Sequence, residues 1–513
     1  MPDASAACER YHAHEITCRS SSQHDKPFFV DLRARITSPS GGVRIVHGFH
    51  DSSDNWHIRF CPHETGTWRY STESSDPQLH GQAGEVECRP NANPAVHGAL
   101  TVDPHHPHHF LYEDGARPFV LGYEANWLWA LAFLADGEQQ LDRFCARIAS
   151  FGFNHVFVNT YAHDTAWAPG KSHEEDYGPP PEYAWEGSNE SPDHSRLNSR
   201  YWRAFDVMMR ALFAHGLTAH LFVKVYNKKV TWPAIGSRED DLFFRYVVAR
   251  YGAFSNVVWD FSKESYNERD KGYCANRIAL IRALDGHERL VTTHDDWALH
   301  FDQRYGGLLD FVTDQKHDNF SERAGTLRAM LRPIPVINEE FAYEAGPAGV
   351  HDLSYHPRVR HSPEEHVLRA WEVVMGGGYP GYYYLYTAWD VIRPDDEPPG
   401  YALHRRLVDF MKETAWWQLE PHPEIVERSA GRCLAKPGQE YVIFCRADYG
   451  PRRHFDETLR ALVNFPGVSG SLNADWLNPL TGERAQTTIE VRPHQPLQAP
   501  FDGPYVVRLT PVA

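Results

Sequence analysis

Between Phe110 and Thr414 the chain repeats one pattern eight times: a short apolar run, then a segment with apolar residues three and four apart. The apolar runs are Pro118–Gly122, Asn154–Asn159, Thr218–Val225, Val257–Phe261, Leu290–Thr293, Leu309–Thr313, Pro335–Asn338 and Tyr382–Tyr386. Helix-like segments between them include Gln139–Ser150, Tyr201–Ala214, Asp240–Tyr251, Tyr273–Leu284, Arg323–Leu331 and Glu364–Met375, and Tyr401–Thr414 supplies the last. This alternation limits the fold more than any other feature. Strands joined through helices lie parallel, and eight such units predict a closed (β/α)8 barrel rather than an open doubly wound sheet. No G-x-G-x-x-G follows the first run, so a dinucleotide site is not indicated.

The flanks read differently. Residues 1–98 alternate polar and apolar in short runs, such as Val43–His50 and Asn55–Phe60, separated by turn residues at Ser38-Pro39-Ser40-Gly41-Gly42 and Glu64-Thr65-Gly66. They predict a β-sandwich. Residues 416–513, with runs Tyr441–Cys445 and Pro504–Leu509, predict a second one. The expected fold is therefore α/β, a TIM barrel over 99–415 flanked by an N-terminal and a C-terminal β-sandwich. Two long connections, His163–Asn198 after the second strand and Phe341–Pro363 after the seventh, fall on the face where such barrels place their sites.

Composition excludes several function classes. Acidic residues outnumber basic ones, 68 to 51, giving a net charge of −17. A nucleic-acid partner needs a basic footprint and is not expected. No stretch approaches 18 apolar residues, so no membrane span is expected. The eight cysteines are scattered without a C-x-x-C pair, which signals neither a zinc site nor a disulfide framework. Met1–Ser22 lacks the form of a signal peptide. A cytoplasmic protein with no cofactor and no metal is expected, and homo-oligomerisation stays open.

The chemistry lies at the strand ends. Pro335-Val336-Ile337 is apolar and then turns into Asn338-Glu339-Glu340; Val257–Phe261 likewise leads to Glu264. Glycoside hydrolysis needs two carboxyl groups about one bond, one protonated and one ionised, roughly 5–5.5 Å apart in a retaining enzyme. Glu264 and Glu340, after the fourth and seventh strands, are candidates for that pair. Other strand ends offer sugar contacts: Glu124, Asn126 and Trp127 after the first, Asn159, Tyr161 and His163 after the second, Lys224 and Tyr226 at the third. His294, Asp295 and Trp297 follow the fifth, Gln315 and His317 the sixth, Tyr343 the seventh, Trp389 and Asp390 the eighth. Polar groups there bond hydroxyls, and Trp stacks on a ring face.

These motifs resemble the clan A glycoside hydrolases, and most closely the apiosidase-like barrel group, whose pattern is similar to Pro-Val-x-x-x-Glu-x-x-Tyr-Glu. Pro335, Val336, Glu340, Tyr343 and Glu344 match it in register. The resemblance implies that Glu340, not Glu339, is the nucleophile. It also implies that Glu264, five residues after Trp259, is the acid/base. Many clan A enzymes place Asn before that Glu; here, as in the apiosidase-like group, Lys263 departs from it, which leaves the usual contact to the sugar 2-hydroxyl unassigned. Gly48-Phe49, Trp56-x-x-Arg59-Phe60-x-Pro62 and Gly66-x-Trp68 look like the sandwich that precedes such barrels. Trp416-Trp417-x-Leu419-x-Pro421 and Trp476-x-Asn478-Pro479-x-Thr481-Gly482-Glu483 look like the collagen-binding-type sandwich that follows them.

The expected activity is retaining, exo-acting removal of a terminal sugar, a pentose or furanoside or a β-hexoside, from oligosaccharides or glycosides. Exo action is expected because the stiff Pro179-Pro180-Pro181 and the side chains Tyr183 and Trp185 would wall one side of the pocket. Two alternatives stand beside it: a non-catalytic carbohydrate-binding barrel, and a metal-dependent barrel hydrolase or isomerase using His294, Asp295, Asp314 and His317.

Overall fold

The computed structural model describes residues 6–52, 54–163, 181–346, 360–385, 394–427, 431–446 and 461–512. Seven strands between Ala6 and Arg89 form one sheet that folds over on itself. The fold passes through the long strand Val43–Ser52. Its first half pairs with Leu32–Thr37 and its second with Asn55–Phe60. Gly48 stands where the halves diverge; a Cβ there would lie 2.7 Å from Leu32 Cδ2. Ile36, Ile58, Trp56 and Trp68 fill the space between the halves.

The central strands run parallel in sequential order. Gly122–Glu124, His155–Asn159, Thr218–Val225, Val257–Lys263 and Val291–Thr292 pair in turn. His294–Asp295, Val312–Gln315, Val336–Glu340 and Tyr379–Pro380 continue the ladder. The fifth strand thus serves both sides, interrupted only at Thr293. Closure comes from Tyr382, whose N–H donates to Gly122 O and whose carbonyl accepts from Glu124 N, each at 2.9 Å. The chain is a closed (β/α)8 barrel, as the alternation predicts.

Two strands sit away from their expected places. The first lies at Gly122–Glu124 rather than Pro118–Gly122. Asn154 takes over the preceding run: its side chain accepts from Leu121 N at 3.0 Å and donates to Phe119 O at 2.9 Å, replacing ladder bonds. The eighth comes earlier, at Tyr379–Pro380. Gly376-Gly377-Gly378 ends the preceding helix, and Gly381 passes so near Glu339 O that a Cβ would meet it at 2.0 Å.

The helices start where side chains cap them. Asn198, Ser237, Asp270 and Ser362 each accept a first-turn N–H. Within the second connection, Trp185–Gly187 and Pro192–Leu197 form a hairpin, with Trp185 packed on Phe243 and Trp232. Residues 164–180 and 347–359 of the long connections lie outside the described residues. The C-terminal unit is a β-sandwich: a six-stranded sheet, Glu420–Pro421 to Tyr505–Pro511, and the ladder Ala461–Val463 with Gln495–Leu497 enclose Ile443, Trp476 and Tyr505.

Candidate active site

Three strand ends bring four charged groups to one place. Glu124 ends the first strand, Lys263 the fourth, and Glu339 with Glu340 the seventh. All four are buried. The Lys263 ammonium contacts Glu124 Oε1, lies 2.9 Å from Glu340 Oε2 and 3.5 Å from Glu339 Oε1. Phe222 sits beneath it, ring centre 5.2 Å away. Asn126 donates to Glu124 Oε1 at 3.0 Å.

One ammonium cannot neutralise three carboxylates in a dry pocket, so at least one must hold a proton. Burial, with Glu124 beside it, pushes the Glu339 carboxyl well above the usual range. Glu340 goes the other way. Burial alone would raise it, but Lys263 and the Tyr343 hydroxyl outweigh that and hold it at about 2. Tyr343 donates to Glu340 Oε1, packs edge-on to His317 and stacks on Tyr383.

Glu264 sits one residue past Lys263 and is only partly buried. Its backbone is left-handed, with φ at 53°, a conformation that costs a non-glycine residue about 1–3 kcal/mol and concentrates at functional sites. Asn227 donates to its Oε1 at 2.7 Å and Asn267 to its Oε2 at 3.0 Å. Its own N–H donates to His294 Nδ1 at 3.2 Å, and His294 Nε2 lies 4.0 Å from Glu340 Oε2. One imidazole therefore lies between the backbone of Glu264 and the carboxylate of Glu340, bonded to the first only. Burial, then the Glu340 charge, raises the Glu264 pKa. The two glutamates thus differ in kind: one ionised, the other biased towards its protonated form.

The remaining expected contacts divide. Gln315 accepts from Tyr266 OH at 3.3 Å beside Glu264, and His317 stands by Tyr343. Asn159 is buried with both side-chain polar atoms unbonded, which is what a ligand partner would satisfy. Trp127 is buried, its Nε1 donating to Ala162 O; Tyr161 donates to Asn189 at 3.2 Å; His163 stacks on Tyr183. Two candidates face elsewhere. Lys224 donates to Tyr273 at 2.8 Å and pairs with Asp240, both on helices outside the barrel. Asp295 bonds Ser265, Arg304 and Trp297 N. Trp389 and Asp390 lie outside the described residues. Asn227, Tyr266 and Glu339 were not among the expected contacts; Asn227 and Tyr266 had a signal in their position just past strands three and four.

The metal quartet does not assemble. Arg323 holds Asp314 through two bonds, at 2.7 and 2.8 Å, and Arg304 approaches Asp295. Two other trios come within 4.8 Å: His220, Asp260 and Glu339, and His294, Glu339 and Glu340. In the first, His220 already bonds Asp260 at 3.1 Å. In the second, the Lys263 ammonium already supplies a positive charge between the carboxylates.

A parallel barrel with carboxylates after strands four and seven defines a glycoside hydrolase of the clan A fold. A family model, apiosidase-like catalytic domain, matches residues 105–425, and a second, a domain of unknown function (DUF5060), matches 7–75. The chain belongs to the apiosidase-like family. Its fold is similar over 99% of its length, and 100% of the other chain, to a Bacteroides vulgatus protein assigned to the glycoside hydrolases, with a TM-score of 0.78 at 18% identity. A glycoside hydrolase family 5 structure from Bacteroides vulgatus covers 81% of this chain and 94% of its own, with a TM-score of 0.59 at 15% identity. No curated protein matches the chain significantly. Among the described residues no helix is long and apolar enough to cross a membrane.

Proposed function

We propose that this hydrolase works by double displacement, with Glu340 as nucleophile and Glu264 as acid/base, and that it removes a terminal sugar in exo fashion. The observation that carries this reading is the unlike setting of the two carboxyls: the Lys263 ammonium lies 2.9 Å from Glu340 Oε2, whereas neutral amides of Asn227 and Asn267 hold Glu264, which favours charge on Glu340 and a proton on Glu264. In the first step a Glu340 oxygen bonds the anomeric carbon as the glycosidic C–O bond breaks, and Glu264 gives its proton to the departing oxygen. The Glu340 charge is then gone, so Glu264 is more readily ionised and takes a proton from water. The water oxygen bonds the anomeric carbon, and Glu340 leaves as carboxylate.

The hairpin of the second connection, ordered by Trp185 against Trp232 and Phe243, supports exo action. Family membership supports a pentofuranosyl or β-hexosyl substrate. The eight cysteines, none joined in a disulfide among the described residues, fit a reducing, cytoplasmic setting. Unit boundaries near residues 98 and 416 complete the proposal.

Alanine variants test the roles. Glu264→Ala should keep activity on aryl glycosides with good leaving groups, and azide should speed it and give a glycosyl azide of the substrate's configuration. Glu340→Ala should be nearly inactive on every substrate, and azide should give the opposite configuration. An unchanged Glu264→Ala rate on a poor leaving group, or Glu339→Ala behaving as expected of Glu340→Ala, refutes the assignment.

A further inference from the structure

Lys263 occupies the position where many clan A enzymes place a sugar-contacting Asn, yet its ammonium is 1% exposed and its reach is taken up by protein carboxylates. It touches Glu124 from strand one and Glu340 from strand seven, with Glu339 just beyond. A hydroxyl of a substrate would have to displace one of these charge-assisted contacts. The site needs the opposite of such sharing. A nucleophile must be charged, and three buried carboxylates left to themselves would take up protons.

We infer that Lys263 is a positioning residue that acts through Glu340, keeping its carboxylate charged and aimed, while the neighbouring Glu339 holds the retained proton of the cluster. The inference rests on the two-glutamate reading above. With Lys263 charged and Glu339 neutral, Glu124 and Glu340 leave one net negative charge beneath the reacting carbon, where positive charge develops in an oxocarbenium-like transition state. Glu339 suits its part: it is wholly buried, and its carboxyl hydrogen-bonds that of Glu124, which requires a proton between the two. Basic groups facing the cluster are His220 from strand three, His294 from strand five and His317 after strand six. The acidic and phenolic ones are Asp260 and Glu264 from strand four, Tyr343 after strand seven and Tyr383 after strand eight. Burial holds His220 and His294 neutral, and Lys263 acts on Glu340 more strongly than His317 does, so Lys263 is the cation that dominates the balance.

The test is a pH profile of kcat/KM on the 4-nitrophenyl glycoside that the wild type turns over fastest, from a panel of β-hexopyranosides and pentofuranosides. Lys263→Met should move the acidic limb up by about 1–3 pH units, the range an adjacent opposite charge commands, and Lys263→Arg should return it most of the way. Lys263→Gln keeps a donor without the charge and should shift the limb like Met; it serves if Lys263→Met does not fold. Glu339→Gln mimics the neutral acid and should leave the acidic limb unmoved, whatever it does to the rate. A limb that coincides with the wild type in both uncharged Lys263 variants, or a limb moved by about one pH unit or more in Glu339→Gln, overturns the inference. If azide gives the expected products with Glu340→Ala while the limb stays fixed, only the role of Lys263 falls. If azide chemistry fails, the two-glutamate reading falls with it.

Discussion

Asp206→Ala should loosen the N-terminal sheet from the barrel. Asp206 lies on the helix after strand two, buried between two guanidinium groups. Arg59, from the N-terminal sheet, donates to its Oδ2 at 2.8 Å, and Arg250, from the next helix, donates to both its oxygens at 2.8 and 3.0 Å. Both cations also lie over the Phe49 ring. The pair of arginines holds Asp206 below the ordinary carboxylate range despite its burial. Removing one partner of a buried ion pair costs about 3–5 kcal/mol, because the other charge stays buried and unpaired. Here Glu15 still pairs with Arg59 at 2.8 Å and Asp51 with Arg250 at 3.0 Å, which places the expected cost near the low end, at about 3 kcal/mol. That is about a hundredfold more opening of the interface, and a melting temperature lower by roughly 5–10 °C. Limited proteolysis and calorimetry on the full chain measure the two quantities. The sign with pH follows from the lowered folded pKa. The stabilisation is fully present above the unfolded value near 4 and is lost as pH falls towards the folded one, so the difference should be constant from about pH 5 to 8. A shift below about 2 °C with unchanged cleavage would refute the reasoning, showing that the network gives no net docking energy.

Two further predictions concern the site. Asn227→Ala and Asn267→Ala each remove a donor to Glu264; a bond to a charged group contributes about 1.5–3 kcal/mol, so turnover of poor leaving groups should fall about tenfold or more. Because Asn227 holds the Glu264 pKa down, its loss should also move the basic limb of the pH profile upward. Burial raises Glu344 to about 7 against bonds from Tyr382 OH and Gly400 N. Its neutral form therefore adds stability below the unfolded pKa near 4, lost as pH rises through 7. Glu344→Gln should lessen the wild type's loss of melting temperature between pH 5 and 8, as read by thermal melts at both values.

The barrel was legible because eight units repeat one hydrophobic alternation, and repetition averages out local ambiguity. The two misplaced strands show where local reading fails. Pro118–Leu121 has the apolar composition of a strand, but Asn154, more than thirty residues on, bonds both Phe119 O and Leu121 N. Composition cannot reveal that a side chain will substitute for a ladder. At the eighth strand, apolar Tyr382-Tyr383-Tyr384-Leu385 draws the reading past Tyr379–Pro380. What fixes the true position is Gly381, placed by its close approach to Glu339 O, a contact between residues forty apart.

The site was legible to the extent that spacing specifies strand ends. An apolar run followed by an acid tells which side chains reach the barrel's mouth, so Glu124, Glu264, His294 and Glu340 could be named from the sequence. Spacing does not tell which way a side chain turns after the ladder ends. Lys224 and Lys263 both close buried strands, and their sequence settings are much alike. Yet Lys224 meets Asp240 and Tyr273 on the helices, while Lys263 meets Glu124 and Glu340 in the pocket. The charges of the pocket depend on that choice. Had Lys263 turned outward as Lys224 does, three carboxylates would share the pocket without a cation, and burial would favour protons on more than one of them. A nucleophilic Glu340 at the end of strand seven is thus conditional on the orientation of a lysine at the end of strand four, a condition set by packing across the barrel rather than by neighbours in the chain.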